Sequence, residues 1–315
     1  MRTKPSALLF LLFAVVLAGL GAASSAQDAA KDDEAPPAPA PPAGAYAGQE
    51  VCAGCHDEVA QSFERSVHGK TSVANWDGAT ACESCHGPGA EHAADGDKAK
   101  IRILTALPPA EQSATCLSCH DRGNHVRWQG SPHESRNLSC LTCHKIHHPG
   151  DQPPALLAKG NEFDTCSSCH LKRKAVLMRS SHMPLREGRM NCSSCHNVHG
   201  SPGPSLLYQA SVNENCYTCH AEKRSPVLWE HPPVKENCLN CHDPHGSIHP
   251  RMQIAKQPRL CQQCHDEARH PTQPYSDAAT GEEFFPNSRM FDRGCMNCHS
   301  QIHGSNHPAG QRFLR

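Results

Sequence analysis

The sequence predicts a mostly irregular fold of short α-helices with almost no β-structure, built from five repeats of a doubled motif. Three observations predict it. All 20 cysteines fall in C-x-x-C-H motifs, which start at Cys52, Cys82, Cys116, Cys140, Cys166, Cys192, Cys216, Cys238, Cys261 and Cys295. Alternate motifs recur at spacings of 64, 50, 50 and 45 residues. The chain is rich in proline (26 of 315 residues) and poor in aromatic side chains (5%), with a mean hydropathy of −0.58. It therefore lacks the apolar material for one large core.

Met1–Ala26 has the layout of a cleaved signal peptide: Arg2 and Lys4, an apolar run over Ala7–Leu20, then small residues at Ser24–Ala26. The run is shorter than the roughly 20 residues a spanning helix needs. Residues 27–48 follow as an Ala/Pro-rich linker with an acidic patch at Asp32, Asp33 and Glu34, a composition that cannot bury a core. Residues 49–315 form the motif-bearing domain.

The chemistry lies in those motifs. Cys192-Ser193-Ser194-Cys195-His196 is representative. On a helical turn, positions i, i+3 and i+4 share one face. Two thiols can thus add to the vinyl groups of one haem while the adjacent imidazole takes its iron, the signature of covalent c-type attachment. A disulfide framework or zinc ribbons would not need a histidine after every second cysteine. Ten chance coincidences have a probability of about 10⁻¹¹ at this histidine content. The expectation is ten haem c groups. They are bound through Cys52/Cys55, Cys82/Cys85, Cys116/Cys119, Cys140/Cys143, Cys166/Cys169, Cys192/Cys195, Cys216/Cys219, Cys238/Cys241, Cys261/Cys264 and Cys295/Cys298. The proximal ligands are His56, His86, His120, His144, His170, His196, His220, His242, His265 and His299.

Fourteen of the 24 histidines remain. One lies between the two motifs of each unit: His68, His133, His182, His231 and His270. Another follows each second motif: His92, His147, His199, His245 and His303. These ten are the candidate distal ligands, so that every iron gains two imidazoles, an arrangement suited to electron transfer. His199 is too close in sequence to His196 to reach the far side of the same haem and is better placed for a neighbouring one. His270 lies only five residues past His265, and His125 and His307 are its rivals. His125, His148, His249 and His307 read as surface or propionate-side histidines. The methionines past the leader and Trp76, Trp128 and Trp229 read as side chains that pack on haem.

Before the first three between-motif histidines a local pattern repeats, an apolar residue five before and a serine two before: Phe63 and Ser66, Trp128 and Ser131, Leu177 and Ser180. Short helices are expected at each motif and over Asp57–Ser66 and Thr165–Arg179. The insertions Ala93–Thr115 and Pro271–Gly294 carry no expected ligand and read as loops or caps. Phe284 and Phe285, within Glu282–Met290, read as cover for the last haem. Net charge is −1 from side chains, and nothing points to nucleic acid. No phosphate loop, catalytic triad or paired-carboxylate site stands out, so the chain reads as an electron carrier and not as an enzyme.

The chain beyond the linker resembles the Mtr-type/DmsE-type decahaem cytochromes of the bacterial periplasm. The residues that carry the likeness are the ten motifs, His196–Gly200 (HNVHG), His242–Gly246 (HDPHG), Arg269-His270-Pro271 and the closing Gln301–Pro308. The resemblance implies an elongated haem wire held in an outer-membrane β-barrel porin. Such a wire passes electrons between a periplasmic or inner-membrane cytochrome and an outer-surface multihaem cytochrome or extracellular reductase. A barrel would also solve a physical problem, since irregular backbone cannot face lipid unsatisfied. Two rivals stand beside this reading: a soluble periplasmic shuttle, and a multihaem reductase, which would need an open iron position.

Overall fold

Proline and the paired motifs cut the chain into pieces too short for long elements. In the computed structural model the described residues are 44–75, 81–148, 153–224, 226–265 and 294–314. The chain divides at Pro39/Ala40 into two units, the first of which lies outside the described residues together with the rest of the leader and linker.

Helices in the described part reach nine residues at most, as in Asp57–Arg65, Val67–Asn75 and Pro109–Leu117. Asp57–Arg65 has the charge order a helix dipole favours, Asp57 and Glu58 in its first turn and Arg65 in its last. It buries Ala60 and Phe63 and ends where Ser66 turns extended. Pro109 opens the next long helix at its first turn, where a missing N–H costs nothing. Asn161 and Ser211 cap Glu162–Ser167 and Val212–Tyr217 by accepting from the N–H of Asp164 (2.8 Å) and Glu214 (3.2 Å).

Two expectations change. The helix read over Thr165–Arg179 is two helices, Glu162–Ser167 and Leu171–Leu177. His170, at φ −85 and ψ 56, leaves the helical region between them because the motif must turn its imidazole out. The insertion Ala93–Thr115 carries more local structure than a plain loop. It completes the helix Ala90–Asp95, makes two short 3₁₀ turns and contains most of Pro109–Leu117.

Among the described residues there is no strand, only isolated antiparallel bridges. Three of them recur one per unit: His144 with Leu157, His196 with Leu207 and His242 with Gln253. The buried apolar side chains among the described residues are Ala60, Phe63, Ala81, Trp128, Leu156 and Leu177. Phe63, Trp128 and Leu177 are the apolar members of the repeated pattern, and its serines Ser66 and Ser131 are buried with them, whereas Ser180 is exposed. So small a core leaves the interior to be filled by the prosthetic groups. Trp76, His270 and Glu282–Met290 lie outside the described residues.

Candidate haem centres

All ten motifs share one backbone conformation. The histidine N–H donates to the carbonyl of the first cysteine at 2.9–3.1 Å in every motif, from His56 to Cys52 through His299 to Cys295. This α-turn places both thiols and the imidazole on one side. Ser139 and Asn191 hold the turn at Cys140 and Cys192 by capping boxes with Thr142 and Ser194.

Within each unit the first cysteines of the two motifs meet. The sulfurs of Cys52 and Cys82, Cys116 and Cys140, Cys166 and Cys192, Cys216 and Cys238, and Cys261 and Cys295 are neighbours close enough to perturb one another as free thiols. In the middle three pairs the shared proton raises one thiol, Cys116, Cys166 or Cys216, and lowers its partner, with Cys140 brought down to about 6 and Cys238 to about 7. Between units the second cysteines are electrostatic neighbours: Cys85 with Cys119, Cys143 with Cys169, Cys195 with Cys219 and Cys241 with Cys264. Every motif therefore adjoins the next one in sequence.

Cys55 and Cys298, in the first and last motifs, are exposed, as are the second cysteines Cys119, Cys143, Cys169, Cys219 and Cys264. The sequence reading treats Cys55 as equivalent to the other anchors. In the structure its backbone turn is the same, with its N–H donating to the Cys52 carbonyl at 3.2 Å. Glu162 stands beside Cys166 and Cys192, but it accepts from Ser193 N–H (2.5 Å) and Oγ (2.8 Å), so it caps the turn and does not make a separate metal site.

The imidazoles come together in pairs. Six are near-parallel, with ring centres 6.1–6.3 Å apart and planes 16–20° apart: His56/His92, His86/His147, His144/His199, His196/His245, His231/His265 and His242/His303. Two are crossed, His68/His120 at 5.9 Å and 83° and His133/His170 at 6.1 Å and 77°. Two metal–nitrogen bonds of about 2 Å, with about 1.1 Å more from each nitrogen to its ring centre, give about 6.2 Å. The pairs fit an iron between them. Each contains one motif histidine and one of the ten candidates, and each joins different motifs. His199 stands opposite His144, not His196.

The remaining candidates are placed otherwise. The Nε2 of His182 accepts from Arg186 (2.9 Å) beside Glu187, and its Nδ1 donates to the Arg179 carbonyl (2.6 Å). His220 has Glu222 at 3.5 Å from Nδ1. His270 is outside the described residues, while His299 is within them. Of the rivals, His125 lies against His199 and His120 at 4.4 and 5.6 Å, and His307 accepts from Ala309 N–H at its Nδ1 (3.0 Å).

Burial keeps these imidazoles neutral, as iron ligation requires. Desolvation lowers the pKa of His68, His147, His231, His245 and His303, and brings His199 down to about 4.

One set of functional atoms escaped the sequence reading. The Nδ1 of every second-motif histidine bonds a backbone carbonyl: His86 to Arg102 (2.9 Å), His144 to Ala155 (2.7 Å), His196 to Ser205 (2.8 Å), His242 to Arg251 (2.8 Å) and His299 to Arg312 (2.5 Å). That bond fixes the tautomer, with the proton on Nδ1 and the lone pair that a metal would take on Nε2. The signal that could have revealed it is the recurrence of Pro154, Pro204 and Pro250 after the motifs.

Comparison with known proteins agrees with this architecture. The doubled CXXCH motif family matches residues 182–225 and 231–270, and the cytochrome c-type protein NrfB-like family matches 82–169. The multiheme cytochrome MtrA of Shewanella baltica is 41% identical over 278 residues, covering 85% of this chain and 81% of that protein. The C-type polyheme cytochrome OmcB of Geobacter sulfurreducens is 26% identical over 247 residues, which span 69% of this chain but only 30% of OmcB. With haem c attached through its C-x-x-C-H motifs and a relative matched over most of both chains, this protein belongs to the MtrA family of multihaem c-type cytochromes, which are electron-transfer proteins and not enzymes.

Proposed function

We propose that the chain carries ten covalent haems, each held between two imidazoles, and conducts electrons through them in sequence order across the outer membrane. The observation that carries this reading is the unbroken series of motif neighbours from the first motif (Cys52, Cys55) to the last (Cys295, Cys298), joined alternately through first and second cysteines. Bound haem supplies reversible one-electron chemistry at iron. The chain does the rest. Its thiols anchor each group, its paired imidazoles leave no open coordination position, and its motif spacing sets the distance between neighbours. His182 turns from Arg186 to serve the His220 centre, and His270 serves His299.

The segment 1–26 directs export and is removed, and residues 27–48 tether the wire. No helix among the described residues is long and apolar enough to cross a membrane. The wire reaches the cell surface inside a β-barrel porin, which would shield its irregular backbone from lipid, with a periplasmic or inner-membrane cytochrome at one end and an outer-surface multihaem cytochrome or extracellular reductase at the other. Cell fractionation tests this. Haem-stained chain should stay with the outer membrane through a salt wash and co-purify with a β-barrel in equal amount. Release as a free periplasmic monomer would contradict it and favour a soluble shuttle.

A further inference from the structure

The described motif histidines fall into two classes. Those of the first motif in each unit, His56, His120, His170, His220 and His265, are exposed, and three of them begin the next helical segment. Those of the second motif, His86, His144, His196, His242 and His299, are half-buried, and each donates Nδ1–H to a carbonyl. In the first class the carbonyl lies on the candidate distal side at three centres: His92 to Asp97 (3.0 Å), His133 to Val198 (2.9 Å) and His182 to Arg179 (2.6 Å).

Three of the second-class carbonyls come from one recurring loop. Pro154–Leu156, Pro204–Leu206 and Pro250–Met252 each place two consecutive non-glycine residues at positive φ: Ala155 and Leu156 at 52° and 54°, Ser205 and Leu206 at 52° and 64°, Arg251 and Met252 at 58° and 56°. L-residues avoid this region, and such pairs persist where surrounding structure enforces them. The enforcement is visible. The residue after each motif histidine (Lys145, Asn197, Asp243) donates to the second left-handed residue at 2.8 Å, and the second cysteine of each motif accepts from two residues further on. The loop is thus clipped to both sides of its motif, with its first left-handed carbonyl aimed at Nδ1.

We propose that these loops set haem potentials. The carbonyls of Ala155, Ser205 and Arg251 draw on the Nδ1 protons of His144, His196 and His242, and so make those imidazoles stronger electron donors. Ferric iron is favoured, and the three haems are held at lower potential than the same imidazoles bonded to water would give. The proposal rests on the axial-ligand reading above.

The test uses the holoprotein with Ser205→Pro, Ser205→Val and Ser205→Gly, haem content measured, and redox titration followed by electron paramagnetic resonance. Proline cannot adopt positive φ and a β-branched residue resists it, so both displace the carbonyl, while glycine keeps it in place. The expected result is an upward shift of one haem's worth of signal in the Pro and Val variants, with the bis-imidazole low-spin spectrum retained and Ser205→Gly matching wild type. If Ser205→Pro fails to load its haems, Ser205→Val decides. A fully loaded variant whose titration superimposes on wild type overturns the proposal. Wild-type protein without bis-imidazole spectra would sink the ligand reading itself, a failure visible before any variant is made.

Discussion

The rings of His144 and His199 lie 6.1 Å apart with 18° between their planes, and they come from different di-haem units. The imidazole just after one C-x-x-C-H motif therefore faces a motif histidine of the unit before it. Replacing His199 with Met should shift the spectrum and raise the potential of a single haem, the one bound at Cys140 and Cys143. The same substitution in a chain also lacking Cys140 and Cys143 should produce no further change. A shift that survives there would assign His199 to another centre.

Docking between units depends on glycines beside the candidate distal histidines His199 and His245. A Cβ at Gly246 would lie 2.4 Å from the Val176 carbonyl, and one at Gly200 2.0 Å from that of Arg127. Gly160, also at positive φ, has open space around it. Gly246→Ala should cost about 1–3 kcal/mol more than Gly160→Ala, the usual range for forced overpacking. Thermal unfolding of the two loaded variants measures the difference, and equal midpoints would refute the close-packing role.

Glu83 is a buried anchor near the start of the described chain. Its carboxylate accepts from the N–H groups of Ala47 (2.8 Å), Gly48 (3.0 Å) and Gly89 (2.7 Å). Glu83→Ala strands these donors and should destabilise this region by at least about 1–3 kcal/mol. Faster amide hydrogen exchange over residues 44–90, with the rest unchanged, is the expected readout.

With so few buried apolar side chains, the chain made without haem attachment should be largely unfolded. Its far-ultraviolet circular dichroism should be that of a coil and proteolysis should be rapid. Native-like protection in haem-free chain would show that the polypeptide supplies its own core.

Much of this architecture is written locally, and that is why it was legible. A C-x-x-C-H turn needs only its own five residues, so ten motifs and their short helices follow from spacing, and the 50-residue period marks the units whose first cysteines touch. The apolar and serine positions before His68 and His133 were readable for the same reason. Which imidazole faces which is a tertiary matter, set by turns such as His245-Gly246-Ser247, where Ser247 and Ser181 exchange backbone hydrogen bonds. Spacing alone does not specify that. The helix read across Thr165–Arg179 failed because motif geometry overrode propensity at His170. The carbonyls behind the second-motif histidines left no side-chain trace, apart from Pro154, Pro204 and Pro250.

The central claim is that electrons pass through all the haems in series. The direct test places the chain, with its co-purified barrel, in liposomes that hold reduced methyl viologen, with ferric citrate outside. Wild-type protein should oxidise the trapped dye. A variant lacking only the fifth haem of the series, through Cys166→Ala and Cys169→Ala, with its remaining haems verified, should lose nearly all of that rate. Conduction close to wild type in that variant would contradict a single series.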